Sequence, residues 1–190
     1  MRKVVGIMCS PRKGGNADLL LGRALEGARS KGAGVRKIVL NDLDFMACQE
    51  CGGCDKTGVC VLKDDMRSVY KEIEGADGVI ISSPVFFGTV SAQMKMMIDR
   101  FNCLWIKKYV LKEYAHVRKR RKGLFLCVSA SDKEEFFENS RKAVRIFFAT
   151  IGADYSGDVF CGGVEKKAAI KKNKACLNKA FRLGAVLAAE

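Results

Sequence analysis

Four cysteines stand close together in the segment CQECGGCDKTGVC, at Cys48, Cys51, Cys54 and Cys60. Thiolates spaced C-x₂-C-x₂-C suit an iron–sulfur cluster, and a fourth thiolate five residues later can close the same site. Structural zinc usually takes two separated pairs of ligands, whereas the pairs in this segment overlap. A disulfide across one C-x-x-C and a metal-free loop are further alternatives that the spacing leaves open.

The cysteines lie in a stretch without helical or strand periodicity, at about residues 44–63. A structureless loop of that length inside a compact domain is usually functional or disordered. A bound metal would supply the missing order, because coordination energy becomes folding energy. The other cysteines stand in apolar surroundings and are predicted to be small buried hydrophobes. They are Cys9, Cys103, Cys127, Cys161 and Cys176.

A loop rich in hydrogen-bond donors, SPRKGGNAD, follows the first apolar run of the chain. Ser10 and Asn16 offer side-chain donors, and Arg12 offers a fixed positive charge. The loop opens a predicted helix with Asn16 as its N-cap, where unpaired amides and the positive end of the helix dipole favour an anion. We interpret it as a phosphate site, with an ordinary strand-to-helix turn as the alternative. It matches neither the nucleoside triphosphate nor the dinucleotide glycine motif.

A second loop, SPVFFGTV, begins at Ser83 and combines rigidity with flat apolar surface. Pro84 stiffens it, Phe86 and Phe87 offer aromatic faces, and Gly88 allows close backbone approach. Such a loop can hold a planar ring with backbone amides and aromatic edges. Two core phenylalanines at a helix entrance are the simpler alternative.

Apolar strands alternate with helical stripes along the whole chain. The predicted strands are Lys3–Cys9, Val35–Leu40, Gly78–Pro84, Gly123–Ser131 and Ala153–Phe160. Helical periodicity follows each of them, over residues 16–32, 66–73, 90–101 and 144–151, and from about residue 165 onward. This order predicts an α/β fold with a parallel sheet covered by helices on both faces. Ligands of such sheets bind beyond the carboxyl ends of the strands, where both loops lie.

Composition bounds the class of protein. The 190 residues suit one domain, residues 1–190, and no apolar run is long enough to span a membrane. Nine cysteines in a chain without an export signal indicate free thiols and a cytoplasmic location. The net charge of +13 is concentrated at Arg118–Lys122 and in the last helix, from Lys166 to Arg182. Without interleaved aromatics we interpret both as solvated surface and expect no nucleic-acid site. His116, the single histidine, is expected at the surface.

The two loops together resemble the NADPH-dependent FMN reductase branch of the flavodoxin-like fold, and the cysteine pattern resembles that of the iron–sulfur flavoproteins. The specific motifs run from about Lys3 to Arg100. The resemblance implies a flavodoxin-like, doubly wound five-stranded parallel sheet in the order 2-1-3-4-5, with FMN as cofactor. The implied phosphate-binding residues are Ser10, Arg12, Asn16, Ala17 and Asp18. The implied ring-binding residues are Pro84, Val85, Phe86, Phe87 and Gly88, with Ser129 and Ala130 at the other edge. A [4Fe-4S] cluster would be held by Cys48, Cys51, Cys54 and Cys60.

One departure from the resemblance concerns the phosphate loop. Relatives often have Ser or Thr after the Asn, where this chain has Ala17, so a hydroxyl donor worth about 1–3 kcal/mol at a charged group is missing. Asp18 adds a negative charge at the same helix end. Both differences lead us to expect weaker FMN binding.

The resemblance implies electron transfer between the cluster and FMN, with electrons from NAD(P)H or a reduced ferredoxin. The alternatives are a cluster-free NAD(P)H-dependent FMN or quinone reductase and a basic binding module without enzymatic activity. An aromatic and basic insertion at about residues 103–122 contains Trp105, Tyr109 and Tyr114. Aromatics are enriched at interfaces, so it is either satellite core or a subunit contact. We expect a homodimer or homotetramer, in which a neighbouring subunit could bring its cluster loop to this FMN.

Overall fold

The computed structural model describes residues 1–113 and 121–189. The strands are β1 (Lys3–Met8), β2 (Gly34–Val39), β3 (Gly78–Phe86), β4 (Thr89–Val90), β5 (Arg121–Val128) and β6 (Ala153–Cys161). The helices are α1 (Asn16–Arg29), α2 (Met66–Glu74), α3 (Ala92–Arg100), α4 (Asn102–Trp105), α5 (Glu134–Thr150) and α6 (Lys174–Ala188). Short 3₁₀ turns cover Leu40–Asp42 and Ala169–Lys172, and a π-helical turn covers Ile106–Val110. In the described ranges no helix is long and apolar enough to cross a bilayer.

The sheet has the predicted order. Five parallel strands lie side by side as β2-β1-β3-β5-β6, which is the predicted order 2-1-3-4-5 once the short strand β4 is counted. Strand β4 pairs antiparallel with the end of β3, so the second loop is the turn of a small hairpin. A bulge in the pairing of β5 and β6 follows Gly123.

Both faces of the sheet are covered, as the apolar strands require. In β1, Val4 and Met8 pack under α1 and α6, whereas Val5 and Ile7 face the other core with α2, α3 and α5. Helices α1 and α6 cross at glycines. A Cβ on Gly184 would lie 1.9 Å from the carbonyl oxygen of Ala24, so this crossing requires a residue without a side chain.

Three expectations about elements are wrong. Asn16 is the first residue of α1, and Gly15 is its N-cap. The final helix begins at Lys174, because residues 162–173 form a connection with only one 3₁₀ turn. Arg121 begins β5 and is 6% exposed, so it is no surface residue. Its guanidinium donates to the carbonyls of Glu74, Ala76 and Ile151.

The predicted insertion is partly helical. Helix α4 and the π-helical turn place Cys103 and Ile106 inside, while Trp105 and Tyr109 are half exposed with ring centroids 5.7 Å apart. Tyr114, His116 and Arg118 to Arg120 lie outside the described residues.

Candidate functional site

The donor-rich loop after β1 forms a compact turn at the start of α1. The backbone N–H of Arg12 donates to Ser10 Oγ at 3.1 Å, and Gly15 N–H donates to the Arg12 carbonyl at 3.0 Å. Gly14 has a φ of +68°, a left-handed conformation that glycine adopts without strain. The turn therefore directs the first amides of α1, which lack partners within the helix, toward the loop.

Asn16 is tied to the far end of the chain. Its side-chain amide donates to the carbonyls of Val164 and Lys166 at 2.9 and 3.0 Å, and its Oδ1 accepts from Ile170 N–H at 3.1 Å. Both amide hydrogens are thus used within the protein. A phosphate contact from Asn16 would come from its backbone N–H, so its side chain positions the loop.

The same connection, residues 162–173, brings a further cation to the loop. Lys167 lies over Gly14, with Nζ 3.9 Å from where a Cβ would stand, and the Arg12 guanidinium donates to the Glu165 carbonyl at 3.3 Å. Sequence analysis missed Lys167 because it assigned the residue to a solvated helix. Lys167 is far from Gly14 in the sequence, so the residues around Lys167 do not indicate that it lies over the loop after β1.

Ala17 and Asp18, the two residues at which the loop after β1 departs from the expected motif, lie in different surroundings. The methyl group of Ala17 is buried in the apolar cluster that includes Leu20. The Asp18 carboxylate accepts from Gly14 N–H at 2.8 Å and pairs with Lys37. Its charge is therefore balanced inside the chain, which weakens the reason for expecting it to repel a phosphate.

The hairpin of β3 and β4 projects aromatic surface into solvent. Val85 pairs with Val90 and Phe86 with Thr89, so Phe87 and Gly88 form the two-residue turn. Phe86 is 47% exposed and Phe87 is fully exposed. Phe87 has a φ of +48°, which is uncommon for a bulky residue and costs about 1–2 kcal/mol. Strain of this kind concentrates at functional sites.

The loop after β5 lies beside the same connection. Ser129 N–H donates to the Cys161 carbonyl at 3.0 Å, and its own carbonyl accepts from Val164 N–H at 2.9 Å. Ser129 is buried, while Ala130 is exposed. The loops after β1, β3 and β5 therefore share one edge of the sheet, and residues 162–173 join the first to the third.

The four clustered cysteines line one cavity. It has a volume of about 340 Å³, and its wall contains Cys48, Cys51, Cys54 and Cys60. Cys51 is exposed and the other three are half buried. Across residues 1–113 and 121–189, no three His, Cys, Asp or Glu residues converge tightly enough to hold one metal ion. The four thiols face the same cavity, where together they could hold a metal centre.

Arg100 and Cys103, at and after the end of α3, complete the wall of the cavity. The Arg100 side chain is 1% exposed, pairs with Asp64, and donates from Nη2 to Cys60 Sγ at 3.4 Å. Burial raises the pKa of Asp64, but hydrogen bonds from Arg100 and from backbone amides outweigh it, so the pKa of this carboxyl is lowered overall. Cys103 donates to the Arg100 carbonyl at 3.4 Å, and burial raises the pKa of its thiol.

Sequence analysis missed both roles. Cys103 is buried as predicted, yet it lines the cysteine cavity. Arg100 follows the buried Met97 by three residues, the spacing that places both on one face of a helix. A charged residue on an apolar helix face indicates that it has a buried partner, and this was the one sequence signal for the role of Arg100.

Helix α3 runs from the hairpin of β3 and β4 to the cysteine cavity. Its N-cap Ser91 donates from Oγ to the Cys9 carbonyl at 2.6 Å, next to the hairpin and the end of β1. Its last residue, Arg100, reaches the cysteine cavity. At 1.5 Å per residue the helix separates the two by about 14 Å.

Three loops at the carboxyl edge of a 2-1-3-4-5 sheet, one at the N-terminus of α1 and one with exposed aromatics, define a flavodoxin-like α/β protein. Residues 2–155 match the model of one family within this class. The chain belongs to the NADPH-dependent FMN reductase family.

Known relatives of the chain include proteins named iron-sulfur flavoproteins. The chain is 37% identical over 110 residues to an iron-sulfur flavoprotein of Methanosarcina thermophila, with 58% of each chain covered. It is 33% identical over 147 residues to one of Methanocaldococcus jannaschii, covering 77% of this chain and 70% of that protein. The matched part spans about half the length of several such relatives.

A solved structure supports the fold alone. An NAD(P)H:quinone oxidoreductase from Methanothermobacter marburgensis superposes with a TM-score of 0.71 over 98% of this chain and 96% of that one. The two sequences are 18% identical.

Proposed function

We propose that this protein is an FMN-dependent oxidoreductase that holds a [4Fe-4S] cluster on Cys48, Cys51, Cys54 and Cys60 and transfers electrons between the two. The observation that supports this most is that all four cysteines line one cavity in a chain of an FMN reductase family. The names of the iron-sulfur flavoprotein relatives point the same way. The nine free thiols suit a reducing, cytoplasmic location.

The loop after β1 would bind the FMN phosphate. In this proposal Ser10, the backbone amides of Asn16, Ala17 and Asp18, and the Arg12 guanidinium hold the phosphate oxygens. Lys167 adds a positive charge from the connection above the loop. The donor set suits an anion because the amides come from the first turn of a helix whose dipole is positive at that end.

The hairpin would bind the flavin ring. Pro84 and Val85 are half buried at its base, and Phe86 and Phe87 are exposed at its tip beside the half-buried Gly88. Ser129 and Ala130 would contact the other edge from the loop after β5. No acid–base side chain is required, since the flavin exchanges one or two electrons and the cluster one. The protein binds both, orients them and limits access of water.

The length of α3 bears on the oligomeric state. The hairpin and the cysteine cavity are separated by about 14 Å along this helix within one chain. We propose a homodimer or homotetramer in which a neighbouring subunit would bring its cysteine segment near this flavin. Trp105 and Tyr109, which are half exposed with ring centroids 5.7 Å apart, are candidates for that contact because aromatics are enriched at interfaces.

The electron donor would be NAD(P)H or a reduced ferredoxin. The net charge of +13 favours an acidic protein partner such as a ferredoxin, which a basic surface steers at low ionic strength. The rate of reduction by a ferredoxin should fall as salt is raised. A rate that does not change with salt would contradict electrostatic steering.

A cluster-free NAD(P)H-dependent FMN or quinone reductase is the second candidate. The likeness in fold to a quinone oxidoreductase favours it. The two candidates differ in one measurement, the visible spectrum of anaerobically purified protein with FMN, iron and acid-labile sulfide counted per chain. One FMN with four iron and four sulfide supports the first proposal. FMN without iron, together with NAD(P)H oxidation, supports the second.

A further inference from the structure

The cysteine segment is closed at its base by hydrogen bonds that involve no cysteine. Asp65 N–H donates to the Asp44 carbonyl at 3.2 Å, and Asp44 N–H donates to the Asp65 carboxylate at 2.8 Å. One step further in, the Asp64 carboxylate accepts from Met46 N–H at 3.3 Å and from Met66 N–H at 3.2 Å. These hydrogen bonds hold the two ends of the segment together without a contribution from a metal.

Arg100 fastens this base to α3. Its Nη1 donates to the Met46 carbonyl at 2.8 Å and to Asp64, while Nη2 donates to Asp64 at 3.0 Å and to Cys60 Sγ at 3.4 Å. One guanidinium thus contacts a residue before the first cysteine, a residue after the last one, and the last cysteine itself. Its planar fork makes this possible, because five N–H groups point in fixed directions.

One donor of Arg100 has no partner among the residues that the structure describes. Its Nε is buried without a hydrogen-bond acceptor in residues 1–113 and 121–189, and Arg100 lines the cysteine cavity. An unpaired buried donor costs about 1–3 kcal/mol, so such groups usually mark an absent partner. A sulfur-rich, negatively charged group in the cavity would satisfy that donor.

We propose that Arg100 is the positioning residue of the cluster site. It holds the Cys60 thiolate in place and closes the cysteine segment before the cluster is assembled. Hydrogen bonds to cluster sulfurs also raise the reduction potential, since they stabilise the more negative reduced state. This inference rests on the proposed cluster, and it adds a residue outside the four-cysteine motif.

The test compares Arg100→Gln and Arg100→Lys with Arg121→Lys as a matched control. Arg121 is also a buried arginine that donates to three backbone carbonyls, but it contacts no residue of the cysteine segment. Each variant is purified anaerobically as the full chain. Iron and FMN per chain, cluster loss to a chelator, the cluster reduction potential and amide exchange of the iron-free protein are then measured.

For Arg100→Gln we expect cluster loss at least tenfold faster, a lower reduction potential, and at least tenfold faster exchange of amides in residues 44–65, with FMN content unchanged. Arg100→Lys should recover only part of each property, because one ammonium cannot reach Asp64, the Met46 carbonyl and Cys60 together. Arg121→Lys should lower global stability and leave the potential and the exchange of residues 44–65 as in the unmodified protein.

An Arg100→Gln variant with unchanged cluster loss and potential would overturn this inference and leave the proposed cluster standing. Equal changes in the Arg100 and Arg121 variants would also overturn it, because the role would then be general stability. If the unmodified protein never contains iron, the cluster proposal itself fails, and the role of Arg100 fails with it.

Discussion

Five thiols face the cavity beneath the cysteine segment, and their surroundings differ. Cys51 is exposed, Cys103 is buried, and Cys60 accepts a hydrogen bond from a buried guanidinium. Burial raises the pKa of the Cys103 thiol, so Cys103 is suited to remain a protonated part of the wall. Arg100 holds the sulfur of Cys60 at the cavity.

Replacing Cys60 with Ala should abolish iron binding, because the site loses the ligand that Arg100 holds. Replacing Cys103 with Ala, at the same cavity, should retain full iron content. Iron and acid-labile sulfide per chain, counted after anaerobic purification, distinguish the two variants. If Cys103→Ala lost its iron and Cys60→Ala kept it, the assignment would be wrong, and Cys103 rather than Cys60 would be the ligand.

Asp64 makes the stability of the iron-free protein depend on pH. The lowered pKa of this carboxyl means that its contribution is present above the unfolded value of about 3.9 and is lost as the pH falls through the folded value. At pH 7, Asp64→Asn should lower the free energy of unfolding by about 2 kcal/mol. The difference from the unmodified protein should shrink below about pH 4.

Asp99→Asn is the control for this prediction. Asp99 pairs with Lys95 on the exposed face of α3, where such a pair contributes about 0.3–0.5 kcal/mol. Denaturant unfolding of both variants between pH 7 and pH 3.5 gives the comparison. A constant difference for Asp64→Asn across this range would contradict the assigned ion pair.

At the scale of elements, the hairpin of β3 and β4 combines an exposed aromatic tip with a strained backbone. Two-residue turns with positive φ at both positions favour Asn-Gly, and this turn has Phe87 followed by Gly88. An aromatic residue with this strained backbone at an exposed turn points to a function for the ring.

Phe87→Asn should therefore stabilise the FMN-free protein by about 1 kcal/mol and weaken FMN binding about tenfold. Denaturant unfolding and flavin fluorescence titration measure the two effects. Phe87→Leu separates them, since it keeps the strained backbone and removes the aromatic ring. It should weaken FMN binding without the gain in stability, and unchanged affinity in both variants would place the flavin away from this turn.

Elements with regular periodicity could be predicted from the sequence, whereas elements whose conformation depends on tertiary contacts could not. The three central strands β1, β3 and β5 were visible as apolar runs, because a sheet covered on both faces buries most of their residues. Strand β4 has two residues and no pattern of its own. The start of the last helix was misplaced because residues 162–173 are basic and helix-like in composition, yet Asn16 and Ser129 hold them as a connection.

The candidate site shows the same division. The grouping of the four cysteines and the position of both loops at one edge of the sheet were predicted from local spacing and composition, and their roles as ligands stay predictions. Arg100, Cys103 and Lys167 were missed, since each reaches the site from a distant part of the sequence. Contacts between residues that are distant in sequence are hard to predict from a single sequence, except where a charged residue stands at a position expected to be apolar.

At the scale of the molecule, the two helices on one face of the sheet cross without side chains between them. A Cβ on Gly27 would lie 2.0 Å from the Phe181 carbonyl oxygen, and the corresponding distance from Gly184 to Ala24 is 1.9 Å. The backbones of α1 and α6 are therefore in direct contact. This contact fixes the last helix to the helix that begins at the phosphate loop.

Gly184→Ala should separate these helices and lower the free energy of unfolding by about 1–3 kcal/mol. Gly22→Ala, in the other helix of this pair, α1, but with no atom beyond its own helix backbone and chain neighbours within 4 Å of the added Cβ, should raise it by about 0.5–1 kcal/mol. Denaturant unfolding of the two variants measures both signs. Equal effects of the two substitutions would contradict the close crossing.

The bonds between Asn16 and residues 164–170 set an order in time as well as in space. The loop after β1 is synthesised at least 148 residues before its three hydrogen-bond partners. A nascent chain that stops before Ile170 has the loop without the contacts that shape it. We therefore expect the flavin to be captured only after Ile170 has left the ribosome, so that the yellow colour of the protein reports a chain made at least to that residue.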